Sequence, residues 1–263
     1  MTTHLALRFV VALAALGTAL PAPAAPCVAR STVRTTALVE LFTSEGCSSC
    51  PPADRWLSSL DSAARASGRL VPLALHVDYW DYIGWKDPYA RPAFTARQRR
   101  IAALQHARFV YTPQVLLQGR DFRGWGSSAF EQALASINAQ PARAEISLAI
   151  ERLDQGALQL EASARIPDPN RRTTAALYLA LYQSNLSSRV EAGENEGLTL
   201  AHDFVVRDWI GPIDFAGDGR VHDRRSLALP PGAAASDTGI AAFVQDRSTA
   251  EVLQALLLPA CPG

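Results

Sequence analysis

The sequence predicts an α/β domain followed by an antiparallel, β-sandwich-like domain. Three observations carry this: a strand–helix–strand unit between residues 37 and 77, a Cys-x-x-Cys pair at its first strand–helix junction, and alternating apolar patterns after residue 141. Ala37 to Phe42 reads as a buried strand that runs through Thr43-Ser44-Glu45-Gly46 into the cysteines. Trp56, Leu57, Leu60 and Ala64 then recur at helical spacing over residues 54–65. Pro51 and Pro52 suit a first helical turn, and Gly68 stops the helix. Leu70 to Val77 is a second apolar run, so the two strands should be parallel with a right-handed crossover. Thr95 to His106 reads as a helix with Arg97, Arg99 and Arg100 outward and Ile101 and Leu104 inward. A strand over Gln114 to Gln118 follows, then a turn at Gly119-Arg120. A capping box of Ser128 and Glu131 opens a helix that reaches about Asn138.

Pro141 marks a boundary, giving domains at 25–140 and 141–263. Beyond it Ile146, Leu148 and Ile150 alternate with polar or small residues. After a turn at Asp154-Gln155-Gly156, Leu158, Leu160 and Ala162 alternate again. Residues 175–182, 198–200 and 204–210 add strands, and Ile240 to Gln245 with Val252 to Leu258 form a last hairpin.

The 263 residues carry 25 basic and 25 acidic side chains, a net charge of zero that argues against a nucleic-acid partner. Arg8, the apolar stretch Phe9 to Leu20 and Ala22-Pro23-Ala24 form a signal-peptide pattern over residues 1–24. That run is shorter than the roughly 20 residues of a spanning helix, so no stable membrane insertion is expected after cleavage. Four cysteines remain: Cys27, Cys47, Cys50 and Cys261. Export permits disulfides, and Cys27 and Cys261, near the two ends of the mature chain, are expected to pair. Spacing alone allows three connectivities.

Cys47-Ser48-Ser49-Cys50 carries the strongest chemical signal. The start of a helix favours a thiolate, through unpaired N–H groups and the macrodipole. Cys47 should be the more exposed nucleophile and Cys50 the resolving thiol. Two other chemistries compete for the pair. A zinc site needs two further ligands, for which His76 or Asp78 are candidates, although no second Cys-x-x-Cys exists. A structural disulfide is the other. No metal and no cofactor is assigned. Thr112-Pro113 stands just before a strand, about sixty residues after the cysteines; this position resembles that of the cis-proline loop in thioredoxin-like folds, and the resemblance implies a cis peptide beside the cysteines. His76 to Trp85 leaves the end of the second strand, an edge where ligand sites gather. There His76 is a candidate to tune Cys47, Asp78 to accept a proton, and Trp80 to line a substrate groove; packing at the domain interface is the alternative for the aromatics, and for His76 it is the role of a satisfied core residue. Gly193-Glu194-Asn195-Glu196-Gly197 with His202-Asp203 reads as a turn and a strand, with a metal or a polar contact back to the cysteine face as the alternatives.

Three stretches, Val39 to Asp54, His76 to Pro88 and Tyr111 to Gln114, with Gly193-Glu194-Asn195 and His202-Asp203, resemble exported bacterial proteins of the domain-of-unknown-function family 1223. The resemblance implies a thioredoxin-like core and an exported location, periplasmic or secreted, and little about substrate. Ser48-Ser49 in place of Gly-Pro, and no Trp before Cys47, depart from ordinary thioredoxins. The leading expectation is a thiol–disulfide oxidoreductase acting on an exported protein or small thiol, with Cys47, Cys50 and Pro113 at its centre. A copper or other soft-metal carrier using Cys47, Cys50 and His76 is the second, and a non-catalytic interaction module the third.

Overall fold

The computed structural model describes residues 27–60, 67–154 and 156–260. The expected leader at 1–24 and Cys261 lie outside them. Strands β1 (Cys27–Arg30) and β2 (Ala37–Thr43) lead to helix α1 (Pro51–Ser59), strand β3 (Leu70–His76) and helix α2 (Pro92–Leu104). Strands β4 (Gln114–Leu117) and β5 (Arg120–Asp121) and helix α3 (Ser128–Ala139) follow. The rest is strand: β6 (Glu145–Asp154), β7 (Ala157–Arg165), β8 (Ala175–Gln183), β9 (Leu186–Arg189) and β10 (Thr199–His202). Then come β11 (Val205–Asp214), β12 (Arg220–Ala228), β13 (Thr238–Asp246) and β14 (Val252–Pro259).

Strands β2 and β3 are parallel, from Ala37 opposite Leu70 to Thr43 opposite His76, and α1 lies in the crossover. Both are buried along their whole length, which is why they read as continuous apolar runs rather than alternating ones. Strand β4 pairs antiparallel with β2, and β5 closes that edge.

The expected boundary at residue 141 does not divide this sheet. Its eight strands run β14-β13-β8-β11-β3-β2-β4-β5, so strands from both sides of Pro141 are neighbours. At the seam β11 lies parallel to β3, with Val205 opposite Ala74, and the Ala74 N–H donates to the Phe204 carbonyl at 2.8 Å. A fully buried β3 needs that cover, because an open edge would leave its backbone groups unpaired in apolar surroundings.

A second sheet, β1-β6-β7-β12, is antiparallel throughout. It packs on one face of β8, β13 and β14. Leu177, Leu179 and Leu181 of β8 share a core with Leu148, Leu158 and Leu160, while Tyr178 and Tyr182 on the opposite face join the core around Phe42 and Phe94. The alternation of side chains along β8 thus serves two cores. Strand β12 escaped the sequence reading because only Val221 and Leu227 of its nine residues are buried. It is an edge strand whose charged face meets solvent. Strands β1 and β9 are short and half-exposed, with equally weak patterns.

Two local expectations are corrected. Helix α3 is capped by Ser127 rather than Ser128, its hydroxyl accepting from the Ala129 N–H. Arg97 is not outward: its side chain is 9% exposed and grips the fully buried Glu40 of β2, with Nε and Nη2 at 2.6 and 2.9 Å from the carboxylate. The guanidinium also donates to Gln245 of β13 at 3.1 Å and lies 4.7 Å from the centre of the Trp209 ring of β11. A buried carboxylate demands such a fork, and only the second half of the chain converts an outward-looking face of α2 into an interior one. Arg97→Ala should therefore lower the unfolding free energy in urea by about 3–5 kcal/mol, because Glu40 is left charged and unpaired. Arg97→Ala with Glu40→Leu should recover much of that loss; a single variant as stable as the native chain would contradict the account.

Candidate functional site

The site forms where β2 ends. The Val77 N–H donates to the Thr43 carbonyl, and the chain then turns through Ser44 to Gly46 into the cysteines. Cys47 N–H donates to Ser44 O at 3.2 Å and Cys50 N–H to Cys47 O at 3.1 Å, so the motif is already coiled before α1 begins. Cys50 is the residue that caps α1, and its carbonyl accepts from Ala53 and Asp54. Pro51 and Pro52 occupy the turn in which a missing N–H costs nothing.

Cys47 and Cys50 are free thiols. Cys47 was expected to be the more exposed of the pair; the order holds, but both are buried, Cys47 at 2% and Cys50 at 0%. Loops that the sequence could not place crowd the motif. A Cβ added to Gly46 would stand 3.1 Å from the Trp80 Cβ and 3.2 Å from the Ile83 Cδ1. From the other side the Asn195 amide donates to the carbonyls of Glu45 and Cys47, at 2.8 and 3.0 Å. Ser48 N–H donates to the Glu194 carboxylate at 2.9 Å.

Thr112 and Pro113 meet Cys47 as expected. The Thr112–Pro113 peptide is cis, and the Cys47 sulfur lies 3.8 Å from the Thr112 carbonyl oxygen. Trp80 Nε1–H donates to Thr112 Oγ1 at 2.7 Å, which leaves the hydroxyl proton free to point at sulfur. The Cys50 thiol, hydrogen-bonded to Cys47, lowers the Cys47 pKa from 9.0 to about 7. Burial opposes that shift; the Thr112 side chain and the N–H groups of Ser49 and Cys50 reinforce it. Cys50 moves the other way, pushed up by burial, by the Cys47 sulfur and by the charge of Asp54. One sulfur is thus poised as a thiolate near neutral pH, with a protonated thiol beside it.

Behind the cysteines lies a buried polar network. His76 is fully buried and donates from Nδ1 to Asp87 at 2.7 Å. Burial pulls the imidazole pKa down, but the charge and hydrogen bond of Asp87, with the charges of Asp54 and Glu45, together leave His76 above its ordinary value. Burial likewise raises Asp87, and His76 with the N–H groups of Glu45 and Tyr89 brings its carboxyl below the usual range. The His202 ring packs edge-on to His76, 4.9 Å between centres, and hydrogen-bonds Glu45 at 3.0 Å; Trp85 donates to the same carboxylate. Asp54, almost wholly enclosed, is raised by burial, against the pull of His202 and His76. His76 therefore braces the cysteine loop through Asp87. Asp78 accepts from the Thr95 hydroxyl at 2.5 Å and so holds the first turn of α2. Trp80 acts through Thr112. Cys27 is disulfide-bonded. Among the described residues no three His, Cys, Asp or Glu side chains form a metal-ligand set.

Glu45 and Asp87 are site residues that sequence reasoning passed over. Glu194 and Asn195 were read first as a turn, and the alternative, a polar contact back to the cysteine face, is what the structure contains.

Fold and site together define a mixed α/β protein with a paired-thiol centre at the start of a helix. The chain belongs to the family described as protein of unknown function DUF1223, whose model matches residues 38–245. No curated protein matches it. A crystal structure of an Agrobacterium tumefaciens protein is similar, with a TM-score of 0.62 and 24% identity over 89% of this chain and 98% of that one. HBP35 of Porphyromonas gingivalis has a TM-score of 0.64 and 16% identity over 87% of this chain and 76% of its own. These likenesses concern the fold.

The lowered thiol has a direct consequence. Alkylation of Cys47 by iodoacetamide should rise through a midpoint near pH 7, reflecting its thiolate, while Cys50 stays unreactive over the same range. Thr112→Val keeps the shape and removes the hydroxyl, so the midpoint should move upward; a midpoint unmoved by the substitution would remove Thr112 from the account.

Proposed function

We propose that the chain is an exported thiol–disulfide oxidoreductase with a thioredoxin-like core, acting on an exported protein or a small thiol. The observation that carries this reading is the unequal thiol pair, Cys47 near pH 7 and Cys50 well above it, set against the cis Thr112–Pro113 peptide. The parallel β2–α1–β3 unit, followed by α2, the β4–β5 hairpin and α3, supports the core assignment. The leader pattern and the disulfide at Cys27 support export, since disulfides persist in oxidising compartments.

The chemistry balances within the pair. The Cys47 thiolate attacks one sulfur of a substrate disulfide; that S–S bond breaks, and the departing thiolate takes a proton from solvent. Cys50 then gives up its proton and attacks the Cys47 sulfur of the mixed disulfide. The Cys47–Cys50 bond forms, the second substrate thiol leaves, and two electrons have passed to the substrate. The reverse sequence oxidises a dithiol. In either direction the Thr112–Pro113 segment lies beside the Cys47 sulfur; Cys50 resolves when a substrate disulfide is reduced, and it leaves as the thiolate when a substrate thiolate attacks Cys47 and the second substrate thiol resolves.

A Cys50→Ser variant should accumulate mixed disulfides through Cys47, identified by mass spectrometry after acid quenching of cells that express it. Cys47→Ser should trap none. No adduct in either variant would overturn the proposal.

A further inference from the structure

The nucleophile of the proposed reaction is enclosed, so something must move for a substrate disulfide to reach it. Two segments crowd the cysteine loop. The aromatic segment after β3 is held at several points: Asp78 to Thr95, Trp80 to Thr112, Trp85 to Glu45, and Asp87 to His76, Glu45 and Tyr89. The other is the β9–β10 hairpin, which forms its own two-stranded sheet outside the large one. Its tip, Gly193 to Gly197, turns back on itself through Glu196 N–H to Gly193 O and Gly197 N–H to Val190 O.

The hairpin has the form of an arm. At its two roots Asn185 and Phe204 both adopt left-handed backbone, with φ of 57° and 58°, a costly conformation for a bulky residue such as Phe and one that marks chain reversals held by their surroundings. One face is buried, through Val190, Leu200 and His202, while Ser187, Arg189 and Ala201 face solvent. Three side chains tie it to the cysteine loop: Asn195 to the carbonyls of Glu45 and Cys47, Glu194 to the Ser48 N–H, and His202 to Glu45. Gly193, with φ of 80°, lies so close to the aromatic segment that a Cβ there would stand 2.9 Å from the Ile83 Cδ1. Asn195 is itself buried, and its two bonds grip the backbone on either side of Gly46.

We propose that the β9–β10 hairpin is a hinged arm that closes on Cys47, with Asn195 as the positioning residue that latches it, so that substrate reaches the sulfur when the arm lifts about Asn185 and Phe204. The inference rests on the thiol–disulfide reading of Cys47. Opening also parts the Ser188 hydroxyl from the Tyr89 hydroxyl and the His202 ring from Tyr89 and His76, while the aromatic segment keeps its own ties to Thr95, Thr112, Glu45 and His76 and the cis-proline segment stays in place.

The test separates access from thiol chemistry. The reduced full chain is labelled with iodoacetamide across pH 6 to pH 9, and each cysteine is followed by mass spectrometry. The pH midpoint reports the thiolate; the plateau rate reports access. Asn195→Ala should raise the Cys47 plateau about tenfold, the scale of losing hydrogen bonds to buried groups, with the midpoint still near 7. Glu194→Ala should raise it severalfold. Cys50 labelling should stay unchanged in both, because a lifted arm does not loosen the core. Unchanged plateaus in both variants would overturn the arm and leave the thiol reading intact. A native midpoint near 9.0 would overturn the thiol reading, whatever the plateaus do. If Asn195→Ala also speeds Cys50, the exposed Glu194→Ala decides: faster Cys47 labelling supports the arm, and no change overturns it.

Discussion

The structure depends on the pairing of β11 with β3. A strand as apolar and enclosed as β3 cannot present a bare edge, and the segment that covers it arrives from about 130 residues further along the chain. One bridge, Ala74 to Phe204 and Val205, makes the two halves of the chain parts of one sheet. It also fixes where the next piece must go. Phe204 is a root of the β9–β10 hairpin, so covering the edge of β3 delivers His202, Asn195 and Glu194 to the cysteine loop that leaves the neighbouring strand. Glu40 and Arg97 reinforce the same junction from the other side of the sheet edge, since the guanidinium holds β2 and β13 together and rests on an aromatic ring of β11.

Within that frame the reactivity of the cysteines follows from unequal environments. Both thiols are enclosed, and enclosure alone would raise both pKa values. Cys47 escapes because it is surrounded by donors: the Cys50 thiol, the Thr112 hydroxyl and the N–H groups at the start of α1. Cys50 has the Cys47 sulfur and Asp54 nearby, and both disfavour a second negative charge. Trp80 contributes indirectly, since its N–H satisfies one lone pair of Thr112 Oγ1 and orients the hydroxyl. The histidines and carboxylates behind the loop hold Glu45 and Asp87 in place, and through them the backbone on which Cys47 sits.

The central strands were legible because burial on both faces leaves an unbroken apolar run, and the cysteine–helix junction was legible because prolines and thiols have narrow positional uses. Thr112 and Pro113 were legible by position. Arg97 was misread because helical periodicity reports which face is polar and cannot report that another strand will pack over it. How deeply Cys47 is covered was illegible for a similar reason: a residue at the start of a helix looks open until a distant hairpin is laid beside it. Strand β12 was invisible because an edge strand with a charged face has hardly any apolar signal.

The amino-acid sequence by itself determined the parallel β2–α1–β3 unit, the placement of the cysteine pair at its junction and the proline segment that meets it. These rest on short-range rules of burial, helix capping and restricted backbone. Only the tertiary structure decided that the two halves share a sheet, that Glu40 finds Arg97, and that Asn195 and Glu194 stand beside Cys47. Each of those contacts joins groups between 57 and about 150 residues apart. Such pairings are selected by which exposed edge or buried charge most needs a partner, a competition among surfaces that exist only once the strands have formed.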